Sequence, residues 1–139
     1  MFRDPSCLGE DKEMDEGLQS CPSRYSVDET LRRLEELLRE RGVKLFVVID
    51  HSAEAEAAGQ SMPPTKVAIF GSPKAGTPLM LAAPSLALDL PLKLLIAEHD
   101  ASVTVSWNAP KWLEQRHHLP TGMASAIAGI EVIARSIAG

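Results

Sequence analysis

The apolar positions of this chain change their period from one segment to the next. Val27, Leu31, Leu34 and Leu38 recur at helical spacing with Leu37 beside them, while Arg32, Arg33, Glu36 and Arg39 take the other sides. Ser26 with Glu29 three residues on forms a capping box and Gly42 supplies a stop, so a helix is expected over 27–41. From Val43 to Asp50 the pattern alternates. It assigns Val43, Leu45, Val47 and Ile49 to one face of a strand, with Lys44, Phe46 and Val48 on the other. His51-Ser52 then turns the chain into a short Ala/Glu helix ending near Gly59, and Pro63-Pro64 resets it to extended form for a strand at 65–70.

The stretch from Val67 to Met80 reads as a strand, a glycine-bounded loop between Gly71 and Gly76, and a helix start. Thr77 is the expected N-cap, with Pro78 at the first helical position and Pro84 ending the segment. Ser85 is expected to cap a further turn over 86–88. Leu92–Ala97 and Val103–Trp107 read as the strands of a hairpin around His99-Asp100. Trp107 is expected in the core. Asn108 is the expected cap of a short helix carrying Pro110, Trp112 and Leu113, broken by Leu119–Gly122. A last helix aligns Ile127, Ile130, Ala134 and Ile137, with Glu131 and Arg135 paired outside. Gly17 to Arg24 is expected as a short first strand, confined to an edge by Pro22. The sum is an α+β fold, a two-layer sandwich. About four to five mostly antiparallel strands pack against two longer helices, with short helices in the connections.

Composition narrows this picture. A length of 139 residues suits one domain, and 45% apolar with 24% charged residues is ordinary for a globular chain. Residues 1–16 carry six acidic residues against Arg3 and Lys12 and have little to bury, so a flexible acidic tail is expected before a single domain at 17–139. A net charge of −5 argues against a nucleic-acid surface. No apolar run approaches the roughly 20 residues of a membrane span, and the acidic start is unlike a secretory signal, so a cytoplasmic protein is expected. Cys7 and Cys21 form no CxxC or Cys/His pattern and are expected as reduced thiols.

Candidate chemistry is sparse. Gly71 to Thr77 tempts a phosphate-loop reading, but that loop needs Lys directly after its second Gly, and here Thr77 follows Gly76 while Lys74 lies inside. What survives is an anion cradle made of N–H groups, the Thr77 hydroxyl and the Lys74 ammonium. Lys93 is the odd charge in an apolar strand, placed either at a sheet edge or facing a pocket with Asp89 and Lys74. His51, at a strand end, and His117 are candidate acids or bases. His117 and His118 are adjacent and cannot easily face one ion, and His51 and His99 add no ligand spacing, so neither metal nor cofactor is expected.

Ile49-Asp50-His51, Phe70-Gly71-x-Pro73-Lys74-Ala75-Gly76-Thr77-Pro78-Leu79-Met80, Asp89-Leu90-Pro91-Leu92-Lys93 and Ser106-Trp107-Asn108-Ala109-Pro110-Lys111-Trp112-Leu113, closed by His117, follow one another in that order. In this the chain resembles domain-of-unknown-function family 302 over roughly residues 18–137. The resemblance implies a compact α+β domain, dimeric, found mainly in bacteria and archaea, without an established activity. The family usually has Tyr where Trp107 stands and often Asp where Asn108 stands.

The expected function is a small-ligand or anion-binding homodimer, with Gly71, Lys74, Gly76, Thr77 and Lys93 at the site. One alternative is a structural or interaction protein that uses its isoleucine-rich last helix as an interface. The other is a small enzyme using His51 or His117 with a carboxylate.

Overall fold

The computed structural model describes residues 17–139, so the expectations for the acidic tail and for Cys7 lie outside the described residues. Five strands form one antiparallel sheet: β1 (Leu18–Ser23), β2 (Lys44–Asp50), β3 (Thr65–Gly71), β4 (Leu92–His99) and β5 (Ser102–Asn108), in the order β1-β5-β4-β3-β2. The two strands joined by the first helix, α1 (Val27–Arg41), are therefore the opposite edges of the sheet. Pro22 sits in the edge strand β1, whose one partner is β5, the position where a missing N–H does least harm.

α1 forms as its pattern dictates. Ser26 accepts a hydrogen bond from the Glu29 N–H, Gly42 ends the helix at φ 67°, and Val27, Leu31, Leu34 and Leu38 are buried. With α5 (Ile130–Ala138) it covers one face of the sheet, where Leu34 and Leu38 join Phe70, Leu94, Ile96, Val105 and Ile130 in the main core. Cys21 and Trp107 belong to the same cluster, and burial pushes the Cys21 thiol above its usual pKa, partly opposed by the charge of Arg135. The Trp107 ring N–H donates to Gln19 Oε1 at 2.9 Å, so its polar edge is satisfied inside.

A second, smaller core lies in the connections. It joins α3 (Pro73–Ala82), a 3₁₀ turn at Pro84–Leu88, α4 (Pro110–Arg116) and a 3₁₀ turn at Met123–Ile127, through Leu79, Leu86, Leu113, Leu119 and Ile127. The fifth helix, α2 (His51–Ala57), links β2 to β3 and buries no residue. Asp50 caps it, accepting from the Ala53 N–H and the Ser52 hydroxyl. The serine hydroxyl, then the backbone N–H, hold its carboxyl below the usual range.

Three local expectations are corrected. In β2 the register shifts between Leu45 and Val47, a bulge at Phe46. Leu45 and Val48 consequently pack on the main core while Phe46, Val47 and Ile49 are exposed, because one extra residue inverts every later face assignment. The cap of α3 is Ser72, which accepts from the Ala75 N–H, with Pro73 at the first helical position. Thr77 and Pro78 lie inside that helix, and the Thr77 hydroxyl donates back to the Pro73 carbonyl at 2.7 Å. The cap of α4 is Ala109 rather than Asn108, because Pro110 takes the first helical position and the Ala109 N–H is already paired with the Gly17 carbonyl.

The hairpin between β4 and β5 turns at Asp100 and Ala101, both at positive φ (51° and 65°). A two-residue turn of this hand suits Asp-Gly, and alanine is strained there. Ala101→Gly is expected to stabilise the protein by up to about 1 kcal/mol in urea unfolding, since the relief of strain exceeds the entropy that glycine adds to the unfolded chain. Leu34→Ala, at a side chain with no exposed surface, is expected to cost about 2–5 kcal/mol in the same measurement.

Candidate functional site

Two groupings of residues stand out, and sequence reasoning anticipated part of each. The first is a cavity of about 410 Å³ where the end of β3, the first turns of α3, the Leu90–Leu92 segment and the start of α5 meet. Gly71, Gly76 and Thr77 line it, as does Phe46 from the bulge in β2. Gly76 packs close to Leu90: a Cβ there would meet Leu90 Cδ1 at 3.4 Å and Met80 Cε at 3.9 Å, the distances of ordinary contact. The walls are otherwise Phe70, Met80, Ile127, Ile133 and similar apolar residues, and among the described residues no ionisable side chain lines the space.

Its two hydroxyl-bearing residues are engaged in their own helix. Ser72 caps α3, and Thr77 donates to the Pro73 carbonyl. The cradle of free loop N–H groups expected between Gly71 and Thr77 is replaced by helix, with the N–H groups of Ala75 and Gly76 bonded to the Ser72 carbonyl. Lys74 is exposed and outside the cavity lining. Lys93 is not at a sheet edge, because β4 is the central strand. It stands opposite Ile69 on the outer face and donates to the Pro91 carbonyl at 3.1 Å and the Asp89 carbonyl at 3.4 Å, bracing the turn before its own strand.

The second grouping centres on His117, one of two buried polar or charged residues among the described residues. Its Nδ1 lies 2.7 Å from the Ser85 hydroxyl and its Nε2 2.5 Å from Asp89 Oδ2. Arg116 completes the set, with Nη1 at 2.9 and 3.2 Å from the two oxygens of Asp89. Ser85 lies in the 3₁₀ turn Pro84–Leu88, Asp89 directly follows it and His117 ends α4, so the smaller core brings together residues about thirty positions apart. Sequence reasoning nominated His117 but missed its partners, and it gave Ser85 a capping role that its hydroxyl does not perform. His51, the other histidine nominated, is exposed at the start of α2, where the neighbouring Asp50 is committed to the cap. Among the described residues no group of three His, Cys, Asp or Glu side chains could hold a metal ion, and no helix is long and apolar enough to cross a membrane.

Comparison with known proteins places this geometry. A crystal structure of an uncharacterised conserved DUF302 protein from Bacillus stearothermophilus superposes with a TM-score of 0.73, covering 87% of this chain and 94% of that one at 16% identity, a likeness of fold. Two Brucella proteins named fluoride-specific ion channel FluC 1, from B. suis and B. abortus, are each 40% identical over 116 residues, which is 83% of this chain. The chain spans less than half the length of these curated relatives, 45% and 42%. The family model for the domain of unknown function DUF302 matches residues 19–137, and the chain belongs to that family.

Proposed function

We propose that the protein binds a small apolar molecule in the cavity between β3, α3 and α5. The observation that carries this reading is the combination of volume and lining. About 410 Å³ falls within the range of ligand pockets, roughly 300–1,000 Å³. A space lined by aliphatic and aromatic side chains, with both hydroxyls engaged, favours a neutral hydrocarbon-rich ligand over an anion. Neither Lys74 nor Lys93, the cations of the expected anion site, lines this cavity. From the Brucella channels this reading carries only the idea of a shared module, because the described residues contain no spanning helix that would supply a pore.

A second copy of the chain is the partner we infer for the uncovered face of the sheet. Val47 stands opposite Ile69, Ile49 opposite Val67, and Val67 opposite Leu95, on the side away from α1 and α5. Facing solvent, such positions in an antiparallel sheet are ordinarily polar. Toward β5 and β1 the same face does become polar, with Thr104, Ser106 and Ser20. The aliphatic half of the face is therefore the natural place for a two-fold contact.

The cavity is tested with the neutral fluorophore N-phenyl-1-naphthylamine. Wild type is expected to bind it with enhanced emission. Ala126→Phe, at an exposed position on the cavity wall, is expected to weaken that binding at least tenfold, about 1.4 kcal/mol, without lowering the melting temperature. Lys74→Ala is expected to bind like wild type. Equal binding by wild type and Ala126→Phe would overturn the assignment. For the interface, light scattering on a sizing column is expected to give a dimer for wild type and a monomer for Val47→Lys/Val67→Lys. A monomeric wild type at micromolar concentration would remove the inference.

A further inference from the structure

We propose that Ser85 is a nucleophile for acyl transfer, activated by His117 and held in register by Asp89. The acceptor-only carboxylate assigns the proton positions of the neutral ring. Asp89 is a carboxylate paired with Arg116 and can only accept, so the imidazole nitrogen facing it, Nε2, carries hydrogen. In the neutral ring Nδ1 is then an acceptor, and the Ser85 hydroxyl 2.7 Å away donates to it. A serine hydroxyl donating to an imidazole that a carboxylate orients is the constellation that recurs in unrelated hydrolases, known by its roles rather than by its order in the sequence.

Exposure supports the same assignment. The imidazole and the carboxylate are largely shielded, with side chains 3% and 14% exposed, whereas Ser85 lies in an exposed position of its 3₁₀ turn. A purely structural serine could be buried with its partner; here the residue is exposed while the ring it bonds is buried. Leu88, three residues on and so on the same side of a 3₁₀ turn, is 73% exposed, and Leu81, four residues before, is 79% exposed. Two leucines left in solvent on either side of a hydrogen-bonded serine suit the hydrocarbon part of a carboxylic ester.

The step balances without any added reagent. Ser85 Oγ bonds to the ester carbonyl carbon as its proton passes to His117 Nδ1. The carbon–oxygen bond to the alcohol breaks, and the alkoxide takes that proton. Water then gives its proton to Nδ1 and bonds to the acyl carbon, and Oγ leaves and recovers the proton, releasing the acid. Ser85 and His117 are the catalytic residues of this scheme, and Asp89 and Arg116 are positioning residues. It is independent of any occupant of the cavity.

The test is covalent labelling of the full chain with an alkyl fluorophosphonate, in which Oγ bonds to phosphorus, fluoride leaves and the proton passes through His117 to water. Peptide mass mapping is expected to show Ser85 modified at least ten times faster than the exposed Ser72, Ser125 and Ser136 of the same molecules. His117→Gln is expected to bring Ser85 down to the rate of those serines, and p-nitrophenyl butyrate hydrolysis to disappear in Ser85→Ala. Labelling of Ser85 in wild type no faster than of the other three serines overturns the proposal, whatever the stability of the variants. Preferential labelling that persists in a folded His117→Gln protein also overturns it, since the imidazole would then not be the base.

Discussion

The packing of α1 across the sheet is the constraint from which the other elements take their places. Because β1 and β2 form opposite edges, the helix between them has to traverse the layer, and it can stay only if its stripe meets apolar side chains from every strand it crosses. Leu34 and Leu38 do so against Phe70, Leu94, Ile96 and Val105, all essentially without exposed surface. Each such side chain is worth about 1.5–3 kcal/mol of burial. The array fixes which face of β3, β4 and β5 looks inward. α5 then fills the remaining width, with Arg33 of α1 donating to the carbonyls of Ser136 and Ile137 at its end.

Where local signals agreed or stood unopposed, the chain was legible. The capping box, the leucine stripe and Gly42 agreed on α1, and its observed bounds are those expected. The β4–β5 hairpin and the stripe of α5 from Ile130 on followed from period alone, though Ile127, expected on the same stripe, falls in the preceding 3₁₀ turn; the edge position of β1 followed from Pro22. Misreadings arose where two signals competed or the counting changed. Ser72-Pro73 and Thr77-Pro78 are the same cap-and-proline pair five residues apart, and the earlier one starts the helix. The bulge at Phe46 breaks the period-two rule on which the faces of β2 were assigned. The pairing of His117 with Asp89 is a product of tertiary structure, since 28 residues and a strand pair separate them. No spacing rule could have joined them.

Charge distribution explains why the expected anion site does not assemble. The lysines in the family-like motifs are used near their own backbone or left in water: Lys93 braces the turn before β4, and Lys74 is exposed and does not line the cavity. Lys66 on β3 is the most engaged cation of the sheet, pairing with Asp28 at 2.8 Å and lying 3.7 Å from Asp50. The hydrogen bond to Asp28 raises its pKa. A ligand entering the cavity thus meets shape and hydrocarbon, while the polar chemistry of the domain is gathered at Ser85, Asp89 and His117.

The division of the interior into two cores has a kinetic meaning. Phe70, Ile130 and Ile133 belong to the cluster between helices and sheet, Ile127 to the smaller cluster of the connections, and the cavity is walled by both. A seam of this kind separates cooperative units that open independently, the smaller at lower free energy than the whole. Loosening the connections would widen an entrance while the sheet and α1 stay intact. A molecule lodged across the seam would in turn fasten the two units together, so that backbone amides of α3 and α4 exchange their hydrogens on the timescale of the sheet.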